Sequence, residues 1–265
     1  MAGKGSFSFH AGIDIVASPG QAVYPVRSGT VRVVSGDEVA VDSPDGSTFL
    51  YWHIRPAVAD GAETVAQHTI LGRVLKSAGH LHLGEREEGS LVNPLARSHL
   101  RPYSDRVAPR VESITIRQAG TGTEVSPLSV HGRIKVCAEA ADMPSPAVPG
   151  IWAGLPVAPA LVKWRLQRWS GKVAIPETIA ADFRGELPLR SDFWNVYARG
   201  TYQNMAVFGS RLEYLQPGHF LFNLIPKGLD TRHLRFGNDT YDLVVTAVDI
   251  RGNSSSLTQR ITVNN

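Results

Sequence analysis

Period-two alternation recurs along this chain, and no long helical period interrupts it. Val111-Glu112-Ser113-Ile114-Thr115-Ile116-Arg117, Gly132-Arg133-Ile134-Lys135-Val136-Cys137-Ala138 and Leu161-Val162-Lys163-Trp164-Arg165-Leu166-Gln167-Arg168-Trp169 all show it. Successive side chains of a strand leave on opposite faces, so such runs put apolar groups on one face and polar groups on the other. The 25 glycines and 17 prolines provide turns between them. Together these features predict an all-β protein of antiparallel sheets. With 265 residues the chain makes one large or two ordinary domains. An apolar fraction of 43% and a charged fraction of 19% suit a soluble globular protein. No apolar run reaches the roughly 18 residues of a spanning helix. A formal charge of +3 falls far short of the basic stripe of a nucleic-acid binder. The single cysteine, Cys137, excludes an internal disulfide and a Cys-rich zinc site, and its setting reads as a buried strand position.

Chemistry concentrates in the first hundred residues. Gly79-His80-Leu81-His82-Leu83-Gly84-Glu85 reads as a strand in which His80 and His82 share a face while Leu81 and Leu83 pack behind them. Phe9-His10-Ala11-Gly12-Ile13-Asp14-Ile15 places an imidazole and a carboxylate four positions apart, again on one face if the segment is extended. A strand-like run, Phe49-Leu50-Tyr51-Trp52-His53, ends in another histidine. One carboxylate and two imidazoles are a common ligand set for a catalytic zinc, which keeps a position for water. Three ligands drawn from these groups leave two histidines for proton transfer, a division suited to hydrolysis. Taken singly, a His-x-His pair is as often two exposed strand histidines, and a histidine ending an aromatic strand is more often a packing residue.

His-x-x-x-Asp near the start, Tyr-x-His in the middle and His-Leu-His later resemble the M23 peptidases, the LytM or lysostaphin-type zinc endopeptidases that cut peptidoglycan peptides. The resemblance covers about the first hundred residues. Gly20 to Val26 and Ser28 to Val31 look like the family's strand pair after the Asp, Gly61 to Gly72 like its hairpin, and Asn93-Pro94-Leu95 like its closing turn. The resemblance implies that His10, Asp14 and His82 bind Zn2+, that His53 and His80 are the catalytic histidines, and that the substrate is a peptidoglycan peptide. Which of His53 and His80 is the base stays open. The chain departs from the family in two places: Val74 to Gly79 is shorter than the usual glycine-rich loop, and Leu83-Gly84-Glu85 replaces Phe-Glu. The shorter loop would reshape one wall of the substrate groove.

A boundary falls near Pro109. The alternating runs after it, and Tyr241-Asp242-Leu243-Val244-Val245-Thr246-Ala247-Val248-Asp249 with the Gly252-Asn253 turn and the closing Arg260-Ile261-Thr262-Val263, suit the last hairpin of an antiparallel sandwich. This part resembles bacterial Ig-like or fibronectin-III-like modules, with a proline-rich loop at Pro144 to Pro159 and an insertion over 182–235. Trp164 and Trp169 would reach its core, and Phe193 to Ala198 would form a short helix. Glu85 to Glu88 read as a solvated turn and His99 as an exposed linker residue. His68 reads as a surface histidine and not a ligand, and His131, His219 and His233, without partners at metal spacing, read as structural.

The reading is therefore a zinc peptidase domain over 1–107, followed by an Ig-like or fibronectin-III-like β-sandwich with insertions over 108–265. It implies an extracellular or cell-envelope location in a bacterium. Met1 to Gly5 shows no apolar leader, which suggests a missing N-terminal segment. Two rivals differ in class. One is a non-catalytic LytM-like module that binds peptidoglycan or regulates an amidase, although such members usually lose ligands. The other is a carbohydrate- or protein-binding β-protein with incidental histidines.

Overall fold

The structure, a computed structural model, describes residues 7–96, 99–100, 104–206 and 215–265. Residues 13–92 form β1 (Ile13–Val16), β2 (Ala22–Val23), β3 (Gly29–Ser35), β4 (Glu38–Asp42), β5 (Thr48–Trp52), β6 (Ile54–Pro56), β7 (Glu63–Thr64), β8 (Gly72–Val74), β9 (His80–Glu87) and β10 (Ser90–Val92). The main sheet runs β1-β9-β5-β4-β3-β7, with β10 also paired to β9, and a small sheet runs β2-β8-β6. Every pairing in both sheets is antiparallel. Val39 and Val41, Phe49 and Tyr51, and Leu81 and Leu83 alternate into a common core with Val31, Ile54 and Leu71. Burying each such side chain contributes about 1.5–3 kcal/mol. That core fixes the register, because slipping a strand by one residue would turn its apolar set to solvent.

Residues 110–262 form β11 (Arg110–Gln118), β12 (Arg133–Ala141), β13 (Leu161–Arg168), β14 (Val173–Asp182), a one-turn helix α1 (Phe193–Val196), β15 (Met205–Ala206), β16 (Leu215–Gln216), β17 (Leu221–Asn223), β18 (Leu229–Asp230), β19 (Thr240–Val248) and β20 (Ser254–Thr262). One sheet contains β11-β12-β17 with β18 beside β12, and the other runs β14-β13-β19-β20. Ile116, Ile134, Val136, Trp164, Leu166, Tyr241, Leu243, Val245 and Ile261 fill the core between them. The Tyr241 hydroxyl donates to the Gly237 carbonyl at 2.7 Å, tying the start of β19 to the turn before it.

The two sets of sheets share no strand but are joined at one seam. The Leu187 N–H donates to the Leu91 carbonyl at 2.8 Å, and the Asn93 N–H to the Gly185 carbonyl at 2.9 Å. The Asn93 side-chain amide donates to the Phe183 carbonyl at 2.8 Å. Phe9, from the segment before β1, is 8% exposed and belongs to the second core, packed on Phe183, Phe193 and Tyr197.

Several expectations need correction. Gly61 to Gly72 is not a hairpin: β7 pairs with β3, whereas β8 returns to the small sheet. Trp164 is buried, but Trp169 is 63% exposed with the Arg260 guanidinium over its ring, because β13 ends at Arg168. Cys137 is only half-buried, since Val136 and Ala138 take the core-facing positions of β12. Glu85 is no solvated turn residue. It follows Leu83 on the core face of β9, is fully buried, and faces His99 Nδ1 at 2.9 Å. Burial pushes its carboxyl up, and the His99 contact opposes that shift.

Candidate metal centre

Three strands create the floor of the site. In the β1–β9 ladder Asp14 lies directly opposite His82, and in the β5–β9 ladder Trp52 lies opposite His82. Directly opposed residues share a face, so the carboxylate, imidazole and indole form a row across β1, β9 and β5. The Trp52 and His82 rings meet edge-on at 4.6 Å between centroids. His80 lies two residues before His82 on the same face, while Leu81 and Leu83 go to the core.

His10 precedes β1 and is held by no ladder. Its Nε2 lies 3.2 Å from Asp14 Oδ1, and His82 Nδ1 lies 3.0 Å from that same oxygen. One donor atom from each of His10, Asp14 and His82 lies within 4.8 Å of the others. Donors sharing one zinc at ~2.0–2.2 Å stand about 3–3.5 Å apart, so the two measured separations fit a common ion. The donor set also fits, with two imidazoles and one carboxylate on a partly open face: the side chains of His10 and Asp14 are 32% and 30% exposed. Burial alone would raise the Asp14 carboxyl, but the contacts from His10 and His82 outweigh it and hold Asp14 far below the usual carboxylate range. Asp14 is thus an anion at any pH near neutrality.

His53 and His80 flank this trio. Their rings meet edge-on at 4.8 Å, and His53 lies 6.4 Å from the His82 ring. His80 Nδ1 is 2.9 Å from the Ala78 carbonyl. A carbonyl only accepts, so Nδ1 carries the hydrogen and a neutral His80 keeps its lone pair on Nε2. That Nε2 lies 3.6 Å from Asp14 Oδ1. Burial, then the neighbouring His80, lowers the His53 pKa and favours its neutral form. His53 also carries a positive φ of 67° where the chain passes from β5 in the main sheet to β6 in the small one. Left-handed backbone at a histidine costs on the order of 1–2 kcal/mol.

All five residues singled out in the sequence therefore converge, while His68, His131, His219 and His233 are exposed. Other contributors gave no strong sequence signal. A Cβ on Gly12 would stand 2.1 Å from the Leu83 carbonyl oxygen, so only glycine lets the His10–Asp14 segment lie this close to β9. Trp152, far along the chain, sets its ring 5.2 Å from that of His80. Among the described residues two further groups bring possible ligands together, Glu85, Glu87 and His99, and Asp105, Asp142 and Asp249. Neither offers two imidazoles beside a carboxylate.

Residues 8–94 match peptidase family M23, a span that holds all five site residues. A solved structure, a point mutant of the catalytic domain of the prophage-encoded M23 protein EnpA from Enterococcus faecalis, is similar at 23% identity. The similarity covers 37% of this chain and 85% of that one, with a TM-score of 0.30. No curated protein matches the sequence.

Proposed function

We propose that this protein is a zinc-dependent endopeptidase that hydrolyses peptide bonds in the cross-links or stem peptides of bacterial peptidoglycan, acting at the cell envelope. The observation that carries the reading is the convergence of His10 Nε2, Asp14 Oδ1 and His82 Nδ1, with two further imidazoles, those of His53 and His80, beside them. The match of residues 8–94 to an M23 peptidase family supports it.

His10, Asp14 and His82 would hold the ion. Zinc bound there supplies a Lewis acid and a water acidified toward a pKa of about 7. The chain's own residues do the rest. His80, with Nδ1–H fixed on the Ala78 carbonyl, offers Nε2 to take a proton from water and return it to the departing amine. His53, neutral and beside His80, offers a hydrogen bond to the oxygen that becomes negative in the transition state. Ionised Asp14 offsets positive charge and draws His10 and His82 together. The region after Pro109, whose strand order and Tyr241 corner suit a fibronectin-III-like sandwich, supports the peptidase region and its substrate.

The test joins metal content to digestion. Purified protein should carry about one zinc per chain and release soluble fragments from purified peptidoglycan. His82→Ala should lose both, whereas His80→Ala should keep the metal and lose about 10²-fold or more in turnover. Zinc bound in the wild type without any cleavage would instead indicate a binding or regulatory module.

A further inference from the structure

The metal centre opens into a cleft of about 670 Å³ between the two sets of sheets. One wall carries His10, Asp14 and His80, and the other is the loop from β12 to β13, which belongs to the second set. That loop is braced. At its base Asp142 and Val157 exchange both backbone hydrogen bonds at 2.8 Å. The Asn204 side chain donates to the Pro156 carbonyl at 2.8 Å, and prolines at 144, 146, 149, 156 and 159 restrict the backbone throughout. Its tip is a 3-10 turn, Gly150–Trp152, which delivers the Trp152 indole edge-on to His80 at 5.2 Å and 79°.

His80 is thus fixed on three sides, by the Ala78 carbonyl, the His53 ring and the Trp152 ring. The first two come from the peptidase region itself. The third crosses the seam and stands on the cleft side, where a substrate must pass. From Met143 to Ala160 the loop holds no charged side chain, so this wall presents apolar surface and backbone carbonyls. Such a wall desolvates a peptide backbone and favours uncharged, small side chains against it.

We infer that the 143–160 loop is the second wall of the peptide-binding cleft, and that Trp152 is a positioning residue that orients His80 and packs on the bound peptide. This inference rests on the peptidase reading. It makes recognition a joint property of both regions.

The experiment uses the full-length, zinc-loaded protein, with soluble muropeptides from purified peptidoglycan as the probe. Trp152→Ala should lower kcat/KM by about tenfold or more through both constants, because a displaced His80 loses kcat and a missing wall raises KM. Zinc content and melting temperature should stay at wild-type values, and Trp152→Phe should recover kcat/KM to within about threefold of wild type. Unchanged kcat and KM in Trp152→Ala overturn the inference. So does a loss of zinc or of melting temperature that accounts for the defect and that Trp152→Phe does not restore. Wild-type protein that cleaves no muropeptide sinks the peptidase reading separately. In that case NMR of the Trp152 indole and His80 imidazole decides for the wall: signals that shift on muropeptide addition uphold it, and signals that stay fixed overturn it.

Discussion

Two parts of the proposed metal centre are held in different ways. Asp14 and His82 are opposed partners in the β1–β9 ladder, and the apolar partners of that same ladder, Leu81 and Leu83, are buried beneath them. Their geometry is fixed by the register and core of their own sheet. His10 lies before β1, and its neighbour Phe9 is buried among Phe183, Phe193 and Tyr197 of the second core. The difference shows that a candidate ligand set can be local in sequence motif and non-local in mechanical support. Phe9 falls inside the 1–107 range read from the sequence, whereas the residues that anchor it, and through it the candidate ligand His10, lie beyond that range.

The largest effect that tests this contrast comes from removing the shared carboxylate. Asp14→Ala should abolish zinc retention, as measured by metal analysis after dialysis, while the fold survives because Asp14 contributes no core packing. Phe9→Ala should act through the other route. It opens a cavity in the second core, at about 3–5 kcal/mol, and loosens His10 as loss of a supporting shell does, at roughly 10–100-fold in zinc affinity. Phe9→Leu, which keeps most of the volume, should recover most of both losses. A Phe9→Ala protein that melts early yet binds zinc as tightly as wild type would break the link between second core and ligand.

The strands of the floor were legible because alternation and ligand spacing coincide there: His80 and His82 on one face, Leu81 and Leu83 on the other. The supports were less legible. Phe9 reads as one more apolar residue before a motif, and its partners lie more than 170 positions away. Trp152 sits in a proline-rich loop with no periodicity to aim it. The charge of Glu85 points to solvent in the sequence, whereas its register puts it on the core face of β9 with His99 beside it. Trp169 differs for another reason: it closes an alternating run in the sequence, but the strand ends one residue before it and leaves the ring exposed.

A smaller effect lies at the base of the cleft wall. Burial pushes the Asp142 carboxyl up to about 7; the neighbouring Asp105 and Asp249 carboxylates add to the rise against the Met143 N–H that it accepts. An acid whose folded pKa lies above its unfolded value binds more protons when folded, so its contribution to stability falls as pH rises between ~4 and ~7. In chelator-containing buffer the wild-type melting temperature should therefore drop between pH 5 and pH 8 by more than that of Asp142→Asn. The variant should be the more stable of the two at pH 8. Equal slopes would mean that the carboxylates at the seam are already compensated.

The smallest effect concerns His53, whose backbone is shaped by the sheets rather than by its own preference. The chain must leave the main sheet at Trp52 and join the small sheet at Ile54 within one residue. The Leu75 N–H donates to the His53 carbonyl at 2.8 Å and the Ile54 N–H to the Asp37 carbonyl at 3.2 Å, which pins both sides of the bend. The resulting φ of 67° is one that a Cβ disfavours. Alanine at this position keeps the Cβ and its strain, whereas glycine sheds it. His53→Gly should therefore be more stable than His53→Ala by about 1 kcal/mol. That is the reverse of the usual order in an extended segment, and it corresponds to roughly 2–4 °C for a protein of this size. Both variants lack the imidazole and should lose turnover alike while keeping zinc. If alanine proved the more stable, the left-handed backbone would belong to the histidine and its ring contacts. If glycine did, the strain would come from the sheet crossing, and the structure would be tolerating it to keep an imidazole where the two sheets meet the candidate metal centre.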